Sequence, residues 1–316
     1  KPSDDVLYAD ANTLLASGDF AKALTTFKEI SDPTYEDTQS YIHYLNGVTA
    51  YEAGNYESAM QSFSMVPDFL NSPDYLHYMN GLKLFENDLL KEALVEFSLV
   101  KNLGFEKVMD YSNYITALSY LETDPAKAIE LFDTISDPDF YDLSDYRYMA
   151  EGIQYYNDGM YYTARTYFEN IYEFDNCMEW AAKCIRTAPK SKVIYRNSKY
   201  KSSAMKIKFK APKNDASYYF LKIYNKSDVL VGSVFLRAGG SATISLKAGT
   251  YKVKEASGEV WFGKKEAFGS DGDYSVMLFN GDNEYYKFRK NYIYTIKLKV
   301  SSGGNVGNYW TDYGDF

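Results

Sequence analysis

One short pattern recurs along this chain and restricts its fold more than any other feature. In each copy an alanine precedes a phenylalanine by four residues, and the copies are Ala23/Phe27, Ala59/Phe63, Ala93/Phe97, Ala128/Phe132 and Ala164/Phe168. Successive alanines lie 36, 34, 35 and 36 residues apart (59−23, 93−59, 128−93, 164−128). A period near 34 residues is typical of helix–turn–helix arrays, in which each unit packs mainly on its neighbours.

The residues before each copy mark a turn at which the first helix of each unit ends. They are Gly18-Asp19, Gly54-Asn55, Asn87-Asp88, Asp124-Pro125 and Gly159-Met160. Glycine, Asn and Asp are favoured at the C-terminus of a helix. The pattern predicts five helix pairs, and the amphipathic segment 175–188 predicts a further helix that caps the array.

The first helices of the second and third pairs share an almost identical motif. Tyr41-Ile42-His43-Tyr44-Leu45-Asn46-Gly47 returns as Tyr75-Leu76-His77-Tyr78-Met79-Asn80-Gly81. With this motif, residues 5–174 resemble tetratricopeptide repeats, because Gly47, Gly54, Tyr56, Ala59 and Phe63 lie at the spacing of that family's Gly, Gly, Tyr, Ala and Phe. His43 and His77 replace the family's Trp, and the fourth unit is one residue short. The resemblance implies a right-handed α-solenoid and does not specify a ligand.

Charge and pattern both change after the array. Residues 1–188 carry 12 Lys+Arg and 32 Asp+Glu, whereas residues 189–316 carry 22 and 11. This asymmetry fits two independently solvated domains, and it also fits a basic half that meets an anionic polymer or the acidic half. We predict an α+β multidomain protein: an α-solenoid (1–188), a basic linker (189–203), a β domain (204–302) and a C-terminal tail (303–316).

Alternating apolar and polar residues predict strands in the β domain. The alternation is strict in Met205–Lys210 and continues in Tyr219–Ile223, Val229–Leu236, Ala242–Leu246, Tyr251–Lys254 and Tyr294–Val300. Turn-forming residues such as Gly239-Gly240 separate these segments. About seven short strands in such a stretch predict an antiparallel β-sandwich.

A second resemblance covers residues 203–300. Leu246–Lys254, Gly258–Gly263 and Phe268-Gly269 resemble a carboxy-terminal β domain of envelope-associated proteins in Gram-positive gut bacteria, and more broadly transthyretin-like sandwiches. The linker Tyr35-Glu36-Asp37-Thr38 also resembles linkers of tetratricopeptide-like proteins in such bacteria. The resemblance implies extracytoplasmic display. Residues 258–272 are predicted to form a long loop that presents Trp261.

Residues that carry catalysis are scarce in this sequence. His43 and His77 occupy equivalent repeat positions, which indicates a duplicated packing residue rather than a metal pair. Asp271 and Asp273 favour an acidic turn over a calcium site. Cys177 and Cys184 lie seven residues apart on one predicted helix, about 10 Å, too far for a disulfide. We predict no catalytic residue, no metal and no cofactor.

Tyrosine placement gives the main binding hypothesis. Tyrosines recur three residues apart on the first helices, so each pair shares a helix face, and in tetratricopeptide repeats that face lines the groove. The predicted binding residues are Tyr41, Tyr44, Tyr75, Tyr78, Tyr111, Tyr114 and Tyr146, with Trp261 as a separate site. An extended peptide or a glycan fits such a groove. The alternative is that these rings fill the packing between helices.

These features together predict a non-enzymatic, extracytoplasmic binding or scaffold protein with a peptide or protein in the groove. A carbohydrate or cell-wall-polymer binding protein and a cytoplasmic adaptor are the alternatives. The basic β domain favours a glycan or an anionic envelope polymer, and the acidic pI of about 4.9 argues against nucleic acid. No apolar run reaches the roughly 18 residues of a membrane span, so we expect membrane attachment only through an anchor upstream of Lys1.

Overall fold

The computed structural model describes residues 2–102, 105, 107–298 and 307–316. In this part of the chain, eleven α-helices precede a region rich in antiparallel strands, so the protein is α+β. The helices are α1 (Asp4–Ala16), α2 (Phe20–Lys28), α3 (Thr38–Glu52), α4 (Tyr56–Ser64), α5 (Ser72–Glu86), α6 (Leu90–Leu99), α7 (Val108–Tyr120), α8 (Pro125–Phe132), α9 (Leu143–Asn157), α10 (Tyr161–Asn170) and α11 (Cys177–Cys184).

The chain forms two compact units, Lys1–Ser144 and Asp145–Phe316. The division lies near the start of α9, whereas the sequence places a boundary at 188–203, where the residue pattern changes from helix to strand. Helices α10 and α11 therefore belong to the same compact unit as the strands. The contacts that place them there are described below with the candidate site.

In the first unit each helix contacts the helices next to it in sequence, from α1 to α8. The repeated Ala and Phe residues lie in these contacts: Ala59 and Phe63 are fully buried, and Ala93 and Phe97 are at most 1% exposed. The period of the Ala/Phe pattern is therefore a period of helix packing. In the second unit Ala164 and Phe168 of α10 are buried in the same way.

A small residue on the first helix of a pair makes room for each repeated phenylalanine. A Cβ atom added to Gly47 would lie 2.7 Å from the Phe63 ring, and one added to Gly81 would lie 2.5 Å from the Phe97 ring. These distances are shorter than real Cβ contacts, so glycine is required by the close approach of the ring. Ala11 and Ala117, both fully buried, are the small residues of the first and fourth pairs.

Polar residues at the turns cap the second helices of the pairs. The side chains of Asp19, Asn55 and Asp124 accept hydrogen bonds from the backbone N–H groups of Lys22, Ser58 and Lys127, at 3.1–3.2 Å. Each bond satisfies a backbone donor that the first turn of a helix leaves unpaired. Gly54 precedes its cap with a φ of +73°, a conformation that glycine adopts at little cost.

The strands of the second unit form two sheets. They are β1 (Lys192–Arg196), β2 (Lys201–Lys210), β3 (Tyr218–Asn225), β4 (Leu230–Leu236), β5 (Ser241–Leu246), β6 (Gly249–Gly258), β7 (Asp273–Leu278), β8 (Tyr285–Phe288), β9 (Ile293–Lys297) and β10 (Gly307–Trp310). Among the described residues, the larger sheet has the order β1-β4-β3-β6-β7-β10, with β8 also on β6, and the smaller has the order β5-β2-β9. Strands β2 and β9 run parallel, unlike the predicted all-antiparallel pairing.

The larger sheet is covered on both faces. On one face Leu221 and Val253 pack with Ile207 and Ile244 of the smaller sheet, and all four are at most 1% exposed. On the other face Phe220 and Phe235 pack with residues of the 258–272 loop and the chain end. Successive side chains of β3 point alternately into these two cores. The strand is therefore apolar along most of its length instead of alternating between apolar and polar residues.

The predicted linker and tail are both part of this fold. The predicted linker, 189–203, contains β1 and the start of β2, and β1 pairs with β4. In the predicted tail, 303–316, strand β10 pairs with β7, while residues 299–306 lie outside the described residues. Residues 192–196 of the predicted linker are therefore a strand of the larger sheet, which the sequence did not indicate because Lys192-Val193-Ile194-Tyr195-Arg196 has no period-two alternation.

The close approach of Phe97 predicts the effect of one substitution. Gly→Ala in an open helix stabilises by roughly 0.5–1 kcal/mol. We expect Gly81→Ala to destabilise instead, by about 1–3 kcal/mol, because the new methyl group displaces the Phe97 ring. Urea unfolding followed by circular dichroism measures this change.

A double variant tests whether the ring causes the loss. With Phe97→Leu in the background, Gly81→Ala is expected to cost less, since the smaller side chain leaves room for the methyl group. A Gly81→Ala variant as stable as the parent would contradict the close packing of α5 on α6.

The burial of Glu255 on β6 predicts that the stability of the protein depends on pH. Only 6% exposed, Glu255 loses hydration, which raises the pKa of its carboxyl group to about 7, although a hydrogen bond from Asn308 opposes the rise. From the ordinary pKa near 4.5 up to about 7, the folded state binds the proton more tightly than the unfolded state. Stability is therefore expected to fall through this window by up to about 3 kcal/mol and to level off above it.

The matched variant is Glu255→Gln, which keeps the shape and cannot ionise. Across pH 4.5–7 we expect the free energy of unfolding to fall in the parent relative to the variant, because only the parent ionises at this position. Urea titration at each pH measures both values. Glu259→Gln, on an exposed side chain just after β6, is the control and is expected to keep the parental slope. Equal slopes for all three proteins would contradict the burial of an ionisable group at Glu255.

Candidate functional site

The predicted tyrosine ladder lies mainly in the helical core. Tyr44, Tyr78, Tyr111 and Tyr114 are 4–9% exposed, and Tyr41 and Tyr75 are half-buried. Burial raises the pKa of the Tyr44 hydroxyl, and burial together with a hydrogen bond to Tyr141 raises that of Tyr111. The prediction that these rings line an open groove was wrong, and the alternative of packing between helices describes them.

The phenylalanine of one pair stacks on a tyrosine of the next pair. Phe27 lies parallel to Tyr41 with 4.7 Å between ring centroids, Phe63 lies parallel to Tyr75 at 4.6 Å, and Phe97 stacks on Tyr111 at 5.2 Å. Stacked and edge-to-face aromatic pairs contribute roughly 0.5–1.5 kcal/mol beyond their area burial. The tyrosines therefore join neighbouring helix pairs, and this role accounts for their period.

An aromatic residue of each inter-pair loop covers the tyrosines. Phe69 contacts Tyr41 and Tyr44 edge-to-face, at 4.9 and 6.2 Å between centroids. The equivalent residues are Tyr35, Phe105 and Phe140 in the first unit, and Phe174 packs on Tyr146 at 4.7 Å in the second. Sequence reasoning missed this set, although its spacing of 34, 36, 35 and 34 residues (69−35, 105−69, 140−105, 174−140) was visible.

Trp261 is not presented to solvent by its loop. It is 4% exposed and packs edge-to-face on Phe220 and Phe235, with ring centroids 5.1 and 4.9 Å away. Its backbone carbonyl also accepts a hydrogen bond from the Arg186 N–H at 2.9 Å. The prediction of a separate Trp261 binding site was wrong because the second face of the large sheet needs a cover.

The turns within three consecutive helix pairs present a different surface, which we call the turn edge. It consists of three exposed glutamates, each with an exposed large apolar side chain within four residues in sequence: Glu52 with Tyr56, Glu86 with Leu89, and Glu122 with Tyr120. The apolar members are 43%, 46% and 39% exposed. All six residues lie in the first unit.

The glutamates of the turn edge lie where a helix disfavours negative charge. Glu52 and Glu86 are the last residues of α3 and α5, and Glu122 lies two residues after α7. A carboxylate near the negative end of the helix macrodipole costs a few tenths of a kcal/mol or more. A charge repeated at an unfavourable place, with no structural role in the described contacts, marks the turn edge as the candidate interaction surface.

The histidines show no metal site. His77 Nδ1 lies 2.8 Å from a carboxylate oxygen of Glu96, which gives this side chain a packing and pairing role between α5 and α6. Within residues 2–102, 105, 107–298 and 307–316, no three His, Cys, Asp or Glu side chains are grouped to hold a metal ion. Asp271 and Asp273, separated by Gly272, are not grouped with a third such side chain in the same range.

In the second unit a buried glutamate joins α10 to the β region. The Glu266 carboxyl group, 1% exposed, accepts hydrogen bonds from the Tyr162 N–H at 2.6 Å and from the Thr163 N–H at 3.2 Å. The hydroxyl groups of Thr163 and Tyr313 also donate to it, at 2.5 and 3.1 Å. Helix α10 has no side-chain cap of its own at Met160, so a residue about 100 positions away in sequence provides it.

No protein-family model matches the chain, and no curated protein or solved structure is significantly similar to it. The functional assignment therefore depends on the surfaces and contacts of this chain. The described part of the chain contains no helix that is both long and apolar enough to span a membrane.

The Glu266 cap predicts a loss of stability on a nearly isosteric change. In Glu266→Gln, one oxygen becomes an NH2 group that faces hydrogen-bond donors, so we expect a loss of about 2 kcal/mol in thermal or urea unfolding. The exposed Glu259→Gln, in the same loop, is the control and is expected to stay within about 0.5 kcal/mol of the parent. Equal stability of both variants would contradict the capping role of Glu266.

Proposed function

We propose that this chain is a non-enzymatic binding or scaffold protein. It is built as a tetratricopeptide-like α-solenoid of five helix pairs with a capping helix, followed by a β-sandwich. The neighbour-to-neighbour packing of α1 to α8 supports the solenoid, and the single core that two sheets share supports the sandwich. Such arrays expose large surfaces and are used for binding proteins and peptides.

The partner that fits the turn edge is a basic segment with apolar side chains. Residues 1–144 carry 8 Lys+Arg against 25 Asp+Glu, so the field of this unit attracts cations. The turn edge adds three exposed carboxylates, each with an exposed apolar side chain nearby in sequence, which suit an ammonium or guanidinium group and an adjacent apolar residue. The observation that most supports this proposal is that Glu52, Glu86 and Glu122 recur near the C-terminal ends of helices, where the macrodipole disfavours negative charge.

We place this activity outside the cytoplasm, attached to the cell envelope. The resemblance of residues 246–269 to envelope-associated β domains supports this location. Proteolysis of intact cells that express the natural full-length gene tests it: an extracytoplasmic protein is digested from outside, and a cytoplasmic adaptor is protected.

A triple variant that removes the three negative charges of the turn edge tests whether this surface binds a basic partner. Glu52→Gln, Glu86→Gln and Glu122→Gln together are expected to weaken binding of a synthetic amphipathic lysine-rich peptide at least about tenfold, because each charged contact contributes roughly 0.5–1 kcal/mol at low salt. Fluorescence anisotropy in about 50 mM salt measures the affinity, and binding is expected to weaken in about 300 mM salt.

The control changes the same number of charges at the opposite loops. Glu36→Gln, Asp68→Asn and Asp142→Asn are all exposed and lie between helix pairs. The control is expected to weaken binding much less than the turn-edge variant. Equal losses would show general attraction by net charge and would overturn the turn edge as the binding surface.

A further inference from the structure

The second unit contains a cleft of about 470 Å³ that the proposed scaffold function does not use. One wall is a face of α10, and the other is formed by Ser217, just before β3, and by residues between 258 and 273. Its volume falls within the range of roughly 300–1,000 Å³ that is typical of small-molecule sites. The Glu266 cap fixes one wall to the other, so the cleft is formed before any ligand binds.

The α10 wall is a continuous polar stripe. Tyr162, Arg165, Thr166 and Glu169 line the cleft at positions i, i+3, i+4 and i+7, which is one side of a helix. From the first to the last of these residues the helix advances about 10 Å. This length accommodates two linked sugar rings.

Arg165 supplies the donors of this wall. Its Nε atom donates to the Glu169 carboxylate at 2.7 Å, and its guanidinium group lies 5.9 Å from the centroid of the Phe262 ring. In the part of the chain that the structure describes, neither Nη group of Arg165 bonds to an acceptor. The ion pair with Glu169 and the Phe262 ring hold the guanidinium group in place. The side chain is 29% exposed, so its Nη donors are accessible from the cleft.

The opposite wall supplies acceptors and an apolar contact. Glu259, Asp271 and Asp273 are exposed carboxylates on this side, and Val260 contributes an apolar side chain that is 38% exposed. The Tyr162 hydroxyl is hydrogen-bonded to Ser270 across the cleft, which orients the tyrosine ring. The cleft thus has the Arg165 donors beside the Glu169 carboxylate on one wall, and further carboxylate acceptors with an apolar side chain on the other.

We propose that this cleft binds an oligosaccharide of neutral or amino-bearing hexoses. A sugar hydroxyl both donates and accepts, so it satisfies the Arg165 wall and the carboxylate wall at once. Planar guanidinium and carboxylate groups bind neighbouring hydroxyls in pairs, and Val260 and the Tyr162 ring contact the apolar face of a sugar ring. The surplus of carboxylates over Arg165 favours an ammonium substituent and disfavours an acidic sugar.

Isothermal titration of residues 1–316 with four probes tests the proposal. The probes are a neutral β-linked hexose trisaccharide, the same trisaccharide with free amino groups, a uronic acid trisaccharide and tri-lysine. The neutral and amino trisaccharides are expected to bind, the amino form more tightly at low salt, and the uronic acid form is expected not to bind. Because the turn edge is itself proposed to bind lysine-rich peptides, tri-lysine is titrated into the triple variant Glu52→Gln, Glu86→Gln and Glu122→Gln. Tri-lysine binding to that variant as tight as binding of the amino trisaccharide would overturn the proposal in favour of a peptide cleft.

Two variants and two controls connect binding to the cleft. Arg165→Lys keeps the charge and loses the planar fork. Asp271→Asn removes the negative charge and replaces one of two acceptor oxygens with an NH2 donor. Each variant is expected to weaken trisaccharide binding at least about tenfold. Arg147→Lys changes the matched Arg–Glu pair of α9, where Arg147 contacts Glu151 at 2.7 Å, and is expected to leave binding unchanged. The triple glutamine variant of the turn edge is also expected to bind trisaccharide normally.

Thermal unfolding of each variant separates loss of binding from loss of folding. Asp271 is exposed, so its variant is expected to be as stable as the parent and gives a valid result even if Arg165→Lys unfolds. No trisaccharide binding by the parent protein, or equal binding by the parent and the folded Asp271→Asn variant, would overturn the proposal.

Discussion

The helical part of this protein depends on how closely one phenylalanine ring approaches a neighbouring helix. Phe63 and Phe97 occupy space that Gly47 and Gly81 leave open, and each ring also stacks on a tyrosine of the next pair. Each phenylalanine therefore joins its own helix pair and also joins that pair to its neighbour. The stacking uses the first-helix tyrosines for stability, so partner binding is left to other surfaces.

This use of the aromatic residues explains where function is expected. The loop aromatics, such as Phe69, cover the tyrosines, and Trp261 covers a face of the large sheet. The surface of the first unit carries many carboxylates, and the turn edge is one place where exposed apolar side chains lie among them. In the proposed function, long-range charge provides attraction, and the exposed apolar side chains provide contacts that charge alone lacks.

The second unit shows how a single buried group joins two kinds of secondary structure. Glu266 accepts hydrogen bonds from the first turn of α10, and Tyr313 near the chain end donates to the same carboxyl group. These bonds hold the 258–273 loop close to the helix, and the cleft beside Arg165 and Asp271 is a consequence of that closeness. The stability of this unit and the shape of the cleft therefore both depend on the hydrogen bonds of Glu266.

The sequence determined the elements whose residues repeat or alternate locally. The Ala59/Phe63 spacing predicted paired helices, and the alternation in Met205–Lys210 predicted a strand, because local periodicity follows from the geometry of helix and strand. Only the tertiary structure decided that Tyr44 is buried, because two tyrosines on one helix face point equally well to a groove or to a neighbouring pair. It also decided the role of Glu266, since a hydrogen bond across about 100 residues leaves no periodic signal in the sequence.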